Sequence, residues 1–554
     1  MIASEPPAAA SLPALDRRTL LKGGLLGGGL LAAPLSAQER EAGFTHGVAS
    51  GEPGSGKVLL WTRYVARQAV TLEWQVSQTG DFASLTAGGD ASATPDNDWC
   101  TKAWAEGLRP GTWYYYRFVA PDGSVSDAGR TRTLPEGPTD RFRMAVFSCS
   151  NIGFGWFNAY AHAAAADEFD CVLHLGDYFY EYASGTYPSA EQTVAGRKVW
   201  PTQELVALAD YRERYATYRR DPDLRRLHQL YPMISMWDDH EIANDSWRDG
   251  AENHQPATEG DWSTRKAAAM KAYREWMPVS DEDWTSYEIG DLATLFRLET
   301  RLTGRSHQFN LGEIIASGGN DPDRTKAALA AFRDGTWQDP SRELLGAEQQ
   351  AWLAQGLKRS KGEGKTWQVL VQQVLMGRLA SSPAIADALP KDVPDYVRRR
   401  VLSGAAAGAE GVPFNMDAWD GYPAARARVY EAALAADANF ISLAGDTHNA
   451  WAFDLDLDGT PVGIEFGGHS VASPGLESSL PQIPVDTMAR STIANNPQLK
   501  WMDASQRGYM AVELRPGSAT SEYRFLASVR EKGAGVTGAR RITTLAGSRK
   551  LDIG

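Results

Sequence analysis

Four short apolar runs in this chain end in the same way, and that shared ending limits what the chain can fold into. Phe142–Phe147 leads into Ser148-Cys149-Ser150-Asn151, and Cys171–Leu175 into Gly176-Asp177-Tyr178-Phe179-Tyr180. Met233–Trp237 leads into Asp238-Asp239-His240-Glu241, and Phe440–Ala444 into Gly445-Asp446-Thr447-His448. Short apolar runs closed by turn residues are the pattern of buried strands in a parallel sheet. In open α/β sheets, ligands sit in the crevice outside the carboxyl ends of such strands. Strand ends that deliver Cys, Asp, Tyr and His can therefore converge on one rim. Packing does not require that coincidence; a metal-dependent hydrolase does.

The runs alternate with helical patterns at Trp156–Ala166, Thr202–Arg220, Thr264–Trp276, Glu348–Lys358 and Pro423–Ala435. Further strands are expected at Thr294–Leu298, Trp367–Val374, Gly508–Leu514 and Ser521–Phe525. Strand–helix alternation predicts a layered α/β domain over residues 140–530, followed by a C-terminal tail at 531–554. Residues 44–134 read differently. Val58–Arg63, Thr71–Val76 and Thr112–Val119 are short β-branched and aromatic runs separated by Gly/Pro/Asp turns. They predict a small all-β sandwich of immunoglobulin or fibronectin type. Pro135-Glu136-Gly137-Pro138 marks its boundary.

Residues 1–37 read as an export signal. Arg17 and Arg18, then Leu20, Leu21 and Lys22, precede a Gly- and Leu-rich run to Leu35 and the small residues Ser36 and Ala37. This is the pattern of a twin-arginine signal. The apolar run is shorter than the ~20 residues of a membrane span and rich in glycine, so no span is expected in the mature protein. The expected partner is the twin-arginine translocation machinery, and the expected location is the periplasm or the medium. A net charge of -13 argues against a nucleic-acid or anionic membrane surface as the main partner. Three cysteines in an exported chain of 554 residues form no disulfide framework.

Among single residues, Cys149 lies past its strand end among polar neighbours and is a metal-ligand candidate. Cys171 lies inside its strand, where a buried thiol is an ordinary core residue. His174, within the same apolar run, reads as packed, and His469 as a candidate to line the cleft. Arg212 and Arg378 are candidate phosphate clamps, although a lone arginine is more often a surface residue. Asn244 is a candidate for a phosphate or metal contact.

These motifs resemble the metallophosphoesterase superfamily and, within it, the PhoD-type alkaline phosphatases. The resemblance spans most of the mature chain and includes Phe44–Gly51 and Leu60–Arg63, with Glu52 where an Asp is common. It implies a four-layer α/β core, two mixed sheets flanked by helices, and a site like that of purple acid phosphatases. Gly176-Asp177-x-x-Tyr180 resembles the purple-phosphatase signature, which makes Asp177 a bridge between two cations and Tyr180 a phenolate donor to iron. Cys149 stands where the superfamily usually has Asp. Gly445-Asp446-Thr447-His448 resembles Gly-His-x-His, with His448 on the iron and Asp446 giving an oxygen to the second cation. Asp238-Asp239-His240-Glu241 resembles Gly-Asn-His-Glu, with Asp239 in the metal-binding place, His240 in that of the catalytic histidine, and Asp238 a ligand or a neighbour of one.

The cofactors implied are Fe³⁺ and Ca²⁺, with Zn²⁺ as the alternative. Thiolate and imidazole suit a transition metal, whereas carboxylates suit calcium. Two such cations polarise phosphoryl oxygens and lower the pKa of water, and His240 can donate a proton to the leaving oxygen. No Gly-x-Ser-x-Gly elbow or P-loop is present in the sequence. The expected activity is hydrolysis of phosphate monoesters, and of diesters as well. The alternatives are a phosphodiesterase of phospholipase D type, and a surface-binding β protein carrying an inert hydrolase domain.

Overall fold

The computed structural model describes residues 42–554 apart from 320, 391, 392 and 394, so the signal segment at 1–37 lies outside the described residues. The strands of the first part are β1 (Gly43–Gly51), β2 (Lys57–Val65), β3 (Val70–Ser77), β4 (Leu85–Ala93), β5 (Cys100–Glu106), β6 (Trp113–Val119) and β7 (Gly129–Arg132). Next come β8 (Phe142–Phe147), β9 (Cys171–His174), β10 (Pro232–Ser235), β11 (Thr285–Ile289), β12 (Ala293–Arg297), β13 (Trp367–Val371) and β14 (Phe440–Ala444). The last are β15 (Ala450–Leu457), β16 (Thr460–Gly467), β17 (Leu499–Asp503), β18 (Gly508–Leu514), β19 (Ser518–Leu526), β20 (Val536–Leu545) and β21 (Leu551–Asp552).

They form a ten-stranded sheet in the order β21-β20-β19-β18-β8-β9-β10-β1-β2-β5 and a seven-stranded sheet in the order β11-β12-β13-β14-β16-β15-β17. A four-stranded sheet has the order β4-β3-β6-β7. Strands β8, β9, β10 and β1 run parallel side by side, as do β12, β13, β14 and β16. Both faces of these central strands are covered, which is why β8, β9, β10 and β14 read as nearly continuous apolar runs. One core lies between the two large sheets, where Val146, Leu173 and Ile234 meet Val371, Ile441 and Leu443. The other face of the ten-stranded sheet packs Ala145, Val172 and Met233 against Tyr160, Tyr215 and Tyr273 of helices 158–166, 208–219 and 262–276. The other face of the seven-stranded sheet packs Leu370 and Phe440 against Leu353, Leu357 and Val429 of helices 347–362 and 423–435.

Two boundaries read from the sequence are not boundaries in the sheets. The β-region at 44–134 is all-β and has two layers, with Val58 and Leu60 of β2 sharing a core with Leu72, Tyr116 and Phe118 of β3 and β6. One of its two layers, however, is the end of the large sheet. Strand β1 pairs with β10 through Ser50↔Pro232 and Gly51↔Met233, a contact across some 180 residues that leaves no local trace in the sequence. Glu52, one residue further on, ties the region down by accepting from Arg297 Nη1 (2.5 Å) and Tyr287 Oη (2.7 Å). The tail at 531–554 is likewise an edge of the sheet, because β20 pairs with β19 from Val536 to Leu545. Only Ile542 and Thr544 of β20 are buried, so the apolar alternation that marks a strand is faint. The helical pattern at 202–220 is realised as Leu208–Arg219, and a further helix not expected from the sequence, Pro222–Leu230, follows it. Asp221 caps the second helix, accepting from Asp223 N (3.0 Å) and Leu224 N (3.2 Å), and Pro222 occupies its first position.

Candidate metal centre

The loops after β8, β9 and β10 leave one sheet and the loop after β14 leaves the other, and all of them meet. Ligand atoms of Cys149, Asp177 and His448 lie within 4.8 Å of one another, as do those of Asp177, Asp239 and His240, and those of Asp238, Asp239 and Asp446. Asp177 belongs to two of these groups and so stands between them. Tyr180 Oη lies 3.2 Å from Asp177 Oδ2 and 3.0 Å from His448 Nε2, which places the phenol with the cysteine group.

The backbone makes these turns at a cost. Cys149, Asp177, Asp446 and His448 all have positive φ, between 51° and 65°. Non-glycine residues in this region are strained, and such strain clusters at functional sites. Gly176 is required: a Cβ there would stand 2.4 Å from that of Asp238, and its φ is +103°. Glu241 ties the turns together, accepting from Asp177 N (3.2 Å), Tyr178 N (2.5 Å) and Asp238 N (2.8 Å). On the other side, Ser473 Oγ donates to the Cys149 carbonyl (3.0 Å) and lies 2.8 Å from Tyr180 Oη.

The donor set fits a pair of cations. Asp177 Oδ1, Asp238 Oδ2 and Asp239 Oδ1 are buried carboxylate oxygens that accept no hydrogen bond. Buried carboxylates are ordinarily paired, hydrogen-bonded or bound to metal. Burial pushes the Asp177 carboxyl well up, and Asp239, Asp238 and Glu241 add to the shift. Burial raises Asp446 in the same way, with Asp238 adding to it. Asp238 is pushed up to about 6, mainly by burial. Burial also opposes ionisation of Asp239, but Arg301 and His240 outweigh it and hold that carboxyl below its usual range. Burial keeps the Cys149 thiol and the Tyr180 phenol well above their ordinary values, so a cation is what would draw off their protons. His448 is held neutral, down to about 3, by burial. Its Nδ1 lies 2.6 Å from the Pro474 carbonyl, which leaves the Nε2 lone pair for a metal. Cys149, Tyr180 and His448 thus make a set for a transition metal, and Asp239 and Asp446 one for a hard cation.

His240 has a fixed orientation. Its Nδ1 lies 2.7 Å from Glu181 Oε2, and Glu181 Oε1 accepts from Asn244 N (2.8 Å) and Asn253 Nδ2 (2.9 Å). Burial disfavours the imidazolium, but Asp239, Glu181 and Asp177 outweigh it and raise His240 well above its usual value. Asn244 therefore acts through its backbone on Glu181, while its side chain donates to Glu252 (3.1 Å).

Several further residues of the site were not singled out from the sequence. Arg301 is fully buried and bonds Asp238 Oδ1 and both oxygens of Asp417 (2.8 and 2.7 Å). Its Nη2 stands 3.5 Å from Asp239 and from Asp446, so it offsets part of the negative charge there. Arg305 also bonds Asp417. Arg301 stands four residues past the end of β12, so the strand-end rule applied to that strand would have raised it, whereas Arg305 could be found only from the fold.

Other sequence candidates are engaged elsewhere. Arg212 binds Glu275 (2.7 and 2.6 Å) and the Asp96 carbonyl, joining helix 262–276 to the β-region. Arg378 bonds the Gly411 carbonyl and borders a groove with Arg333, Trp337 and Gln498 that contains none of the clustered residues. Neither arginine stands with the clustered ligands: Arg212 is paired with Glu275, and Arg378 borders a groove apart from them. His469 is buried, with Nε2 2.9 Å from the Arg524 carbonyl, so it joins strands and does not line a cleft. His174 is packed, its Nε2 2.9 Å from Tyr160 Oη, and Cys171 lies in the core between the sheets.

The chain is similar to known proteins. The family model described as PhoD-like phosphatase matches residues 144–523, and that of its N-terminal domain matches residues 30–135. Alkaline phosphatase D of Bacillus subtilis (strain 168) is 30% identical over 560 residues, covering 94% of this chain and 86% of that protein. A solved structure described as that of PhoD superposes with a TM-score of 0.75 at 29% identity, covering 93% of this chain and 92% of the other. With the matches running through both the β-region and the domain that holds the clustered ligands, the chain belongs to the PhoD-like phosphatase family.

Proposed function

We propose that this protein is an exported, metal-dependent alkaline phosphatase that hydrolyses phosphate monoesters, and diesters as well. The observation that carries the reading is the meeting of Cys149, Asp177, Tyr180 and His448 with Asp239 and Asp446, beside a histidine oriented by Glu181. Membership of the family and the likeness to an alkaline phosphatase support the same activity. We read the helix–sheet–sheet–helix packing as the four-layer metallophosphoesterase sandwich, with an immunoglobulin-like region in front.

Fe³⁺ would be held by Cys149, Asp177, Tyr180 and His448, and Ca²⁺ by Asp177, Asp239 and Asp446, with Asp238 at its side. Bound there, these cations supply Lewis-acid chemistry: they polarise phosphoryl oxygens and make water acidic enough to serve as nucleophile at ordinary pH. The chain's own residues do the rest. Asp177 sets the spacing between the two groups. Arg301 neutralises part of the carboxylate charge. Glu181 takes the Nδ1–H of His240, so the opposite ring nitrogen carries the proton that passes to the leaving oxygen. Asp446 and His448 keep part of their side chains exposed, at 19% and 14%, and mark the side from which a phosphate ester enters.

Turnover of p-nitrophenyl phosphate against its bis-ester, with and without EGTA, tests the reading. Loss of monoester turnover in chelator, restored by Ca²⁺, is expected. A bis-ester-only enzyme would favour the phosphodiesterase of phospholipase D type. An inert protein would favour the surface-binding alternative.

The export part of the proposal rests on Arg17 and Arg18. Arg17→Lys with Arg18→Lys should leave precursor in the cytoplasm, and undiminished periplasmic enzyme would refute twin-arginine routing. No described helix is long and apolar enough to cross a membrane.

A further inference from the structure

Strand β16 runs parallel to β14 beside it, so its carboxyl end opens on the same rim. The loop that follows it, residues 468–475, grips the transition-metal half of the site. Val471 N donates to the Ser148 carbonyl (3.0 Å) and Ala472 N to that of Cys149 (3.3 Å), while Asn151 N donates to the Ala472 carbonyl (2.9 Å). Ser470 N donates to the His448 carbonyl (3.1 Å), and the Pro474 carbonyl lies 2.6 Å from His448 Nδ1.

Ser473 brings a side chain from this loop to a ligand atom. It is fully buried, with Oγ 2.8 Å from Tyr180 Oη and 3.0 Å from the Cys149 carbonyl. Its position is fixed from the other side. Ser473 N donates to Ser470 Oγ (3.1 Å), and Ser470 Oγ donates back to the Ser473 carbonyl (3.0 Å). Arg507 Nε donates to the same carbonyl, and its guanidinium pairs with Glu477.

A serine has one hydroxyl hydrogen and cannot serve both acceptors at once. Three side-chain atoms stand within hydrogen-bonding distance of Tyr180 Oη: Asp177 Oδ2 (3.2 Å), His448 Nε2 (3.0 Å) and Ser473 Oγ (2.8 Å). The first two are ligand atoms. A carboxylate has no hydrogen to give, and His448 carries its own at Nδ1, toward Pro474. Ser473 is the donor that is left. We propose that Ser473 is the positioning residue for Tyr180, turning its one hydrogen from the Cys149 carbonyl to Oη and holding that oxygen toward the metal. The inference rests on the reading of Tyr180 as a phenolate donor to iron. A hydrogen bond to a charged oxygen is roughly twice as strong as one to a neutral acceptor, so the turn is favourable. The Cys149 carbonyl keeps Ala472 N as its donor. A bond donated to Oη also draws electron density from the phenolate, which leaves the iron a stronger Lewis acid.

The test uses the full-length protein loaded with iron and calcium. A donated hydrogen bond lowers the energy of the phenolate electrons, so Ser473→Ala should move the visible band to longer wavelength. It should also weaken iron binding about 10- to 100-fold, the usual cost of losing a partner behind a metal ligand. Ser473→Thr keeps the hydroxyl and should return the band to its place, which a loss of packing alone would not do. If the alanine variant does not fold, the unaltered protein decides: resonance Raman excited in the band should show the phenolate C–O stretch shift on exchange into D₂O. A coloured iron protein whose band ignores Ser473→Ala, or whose C–O stretch ignores D₂O, overturns the inference and leaves the iron reading standing. A colourless zinc protein overturns both.

Discussion

Replacing Glu181 by Gln separates orienting His240 from holding metal. Glu181 is fully buried, with one oxygen 2.7 Å from His240 Nδ1 and the other accepting from Asn244 N and Asn253 Nδ2. In Glu181→Gln the amide oxygen keeps the two asparagine contacts, so the amide NH₂ turns to His240. Nδ1 must then accept, and the ring can no longer be the imidazolium that carries a transferable proton. General acid catalysis contributes about 10²- to 10⁴-fold, which is about 3–5 kcal/mol of barrier. That loss should fall on esters whose alkoxide leaves only with a proton. p-Nitrophenyl phosphate, whose phenolate leaves without one, should lose far less. The assay is kcat/KM for a phenyl and an alkyl phosphate series on protein whose metal content is measured in parallel. An equal loss for good and poor leaving groups, at unchanged metal content, would refute the role given to the Glu181–His240 pair.

Cys149→Ala should lose the transition metal and turnover while the fold survives, since a single buried Sγ is removed; a protein that loses stability but keeps its metal would make Cys149 a core residue. A phenolate on Fe³⁺ absorbs visible light, so the protein from its native host should be coloured. Tyr180→Phe should bleach it with the ring's packing intact, and a colourless, active zinc protein would refute the ferric assignment. Arg301→Met leaves Asp238 buried without its cation and Asp417 with Arg305 alone. It should destabilise the fold by about 3–5 kcal/mol, read as a lower denaturation midpoint.

The parallel strands were legible because burial on both faces makes them plain apolar runs, and so were the residues at their ends. What sequence could not carry was anything fixed by distant pairing. β1 joins β10 and β20 joins β19, so the β-region and the tail become parts of the catalytic sheet. Glu181 was missed for the same reason: it acts on a loop that the fold alone brings near. Arg212 and Arg378 show the converse. Their residue type suited a phosphate, but Arg212 is paired with Glu275 and Arg378 stands at a groove apart from the ligands.

The strain at the ligand residues bears on how the site is made. A non-glycine residue in the left-handed region costs roughly 1–2 kcal/mol. Four of them together approach the whole net stability of an ordinary domain. Such turns persist only where their surroundings hold them, and here the restraints are the protein's own. Cys149 N donates to the Gly176 carbonyl (3.1 Å), Ser150 N to that of Asp177 (2.8 Å), and Ser470 N to that of His448 (3.1 Å). Glu241 clamps the β9 and β10 loops from beneath, and burial raises its own carboxyl to about 8. None of these bonds uses a ligand atom directed at a cation. The folding energy of the two large sheets therefore sets the backbone of the site. Cations entering it need only displace protons from groups already in place, which limits the reorganisation that binding must overcome.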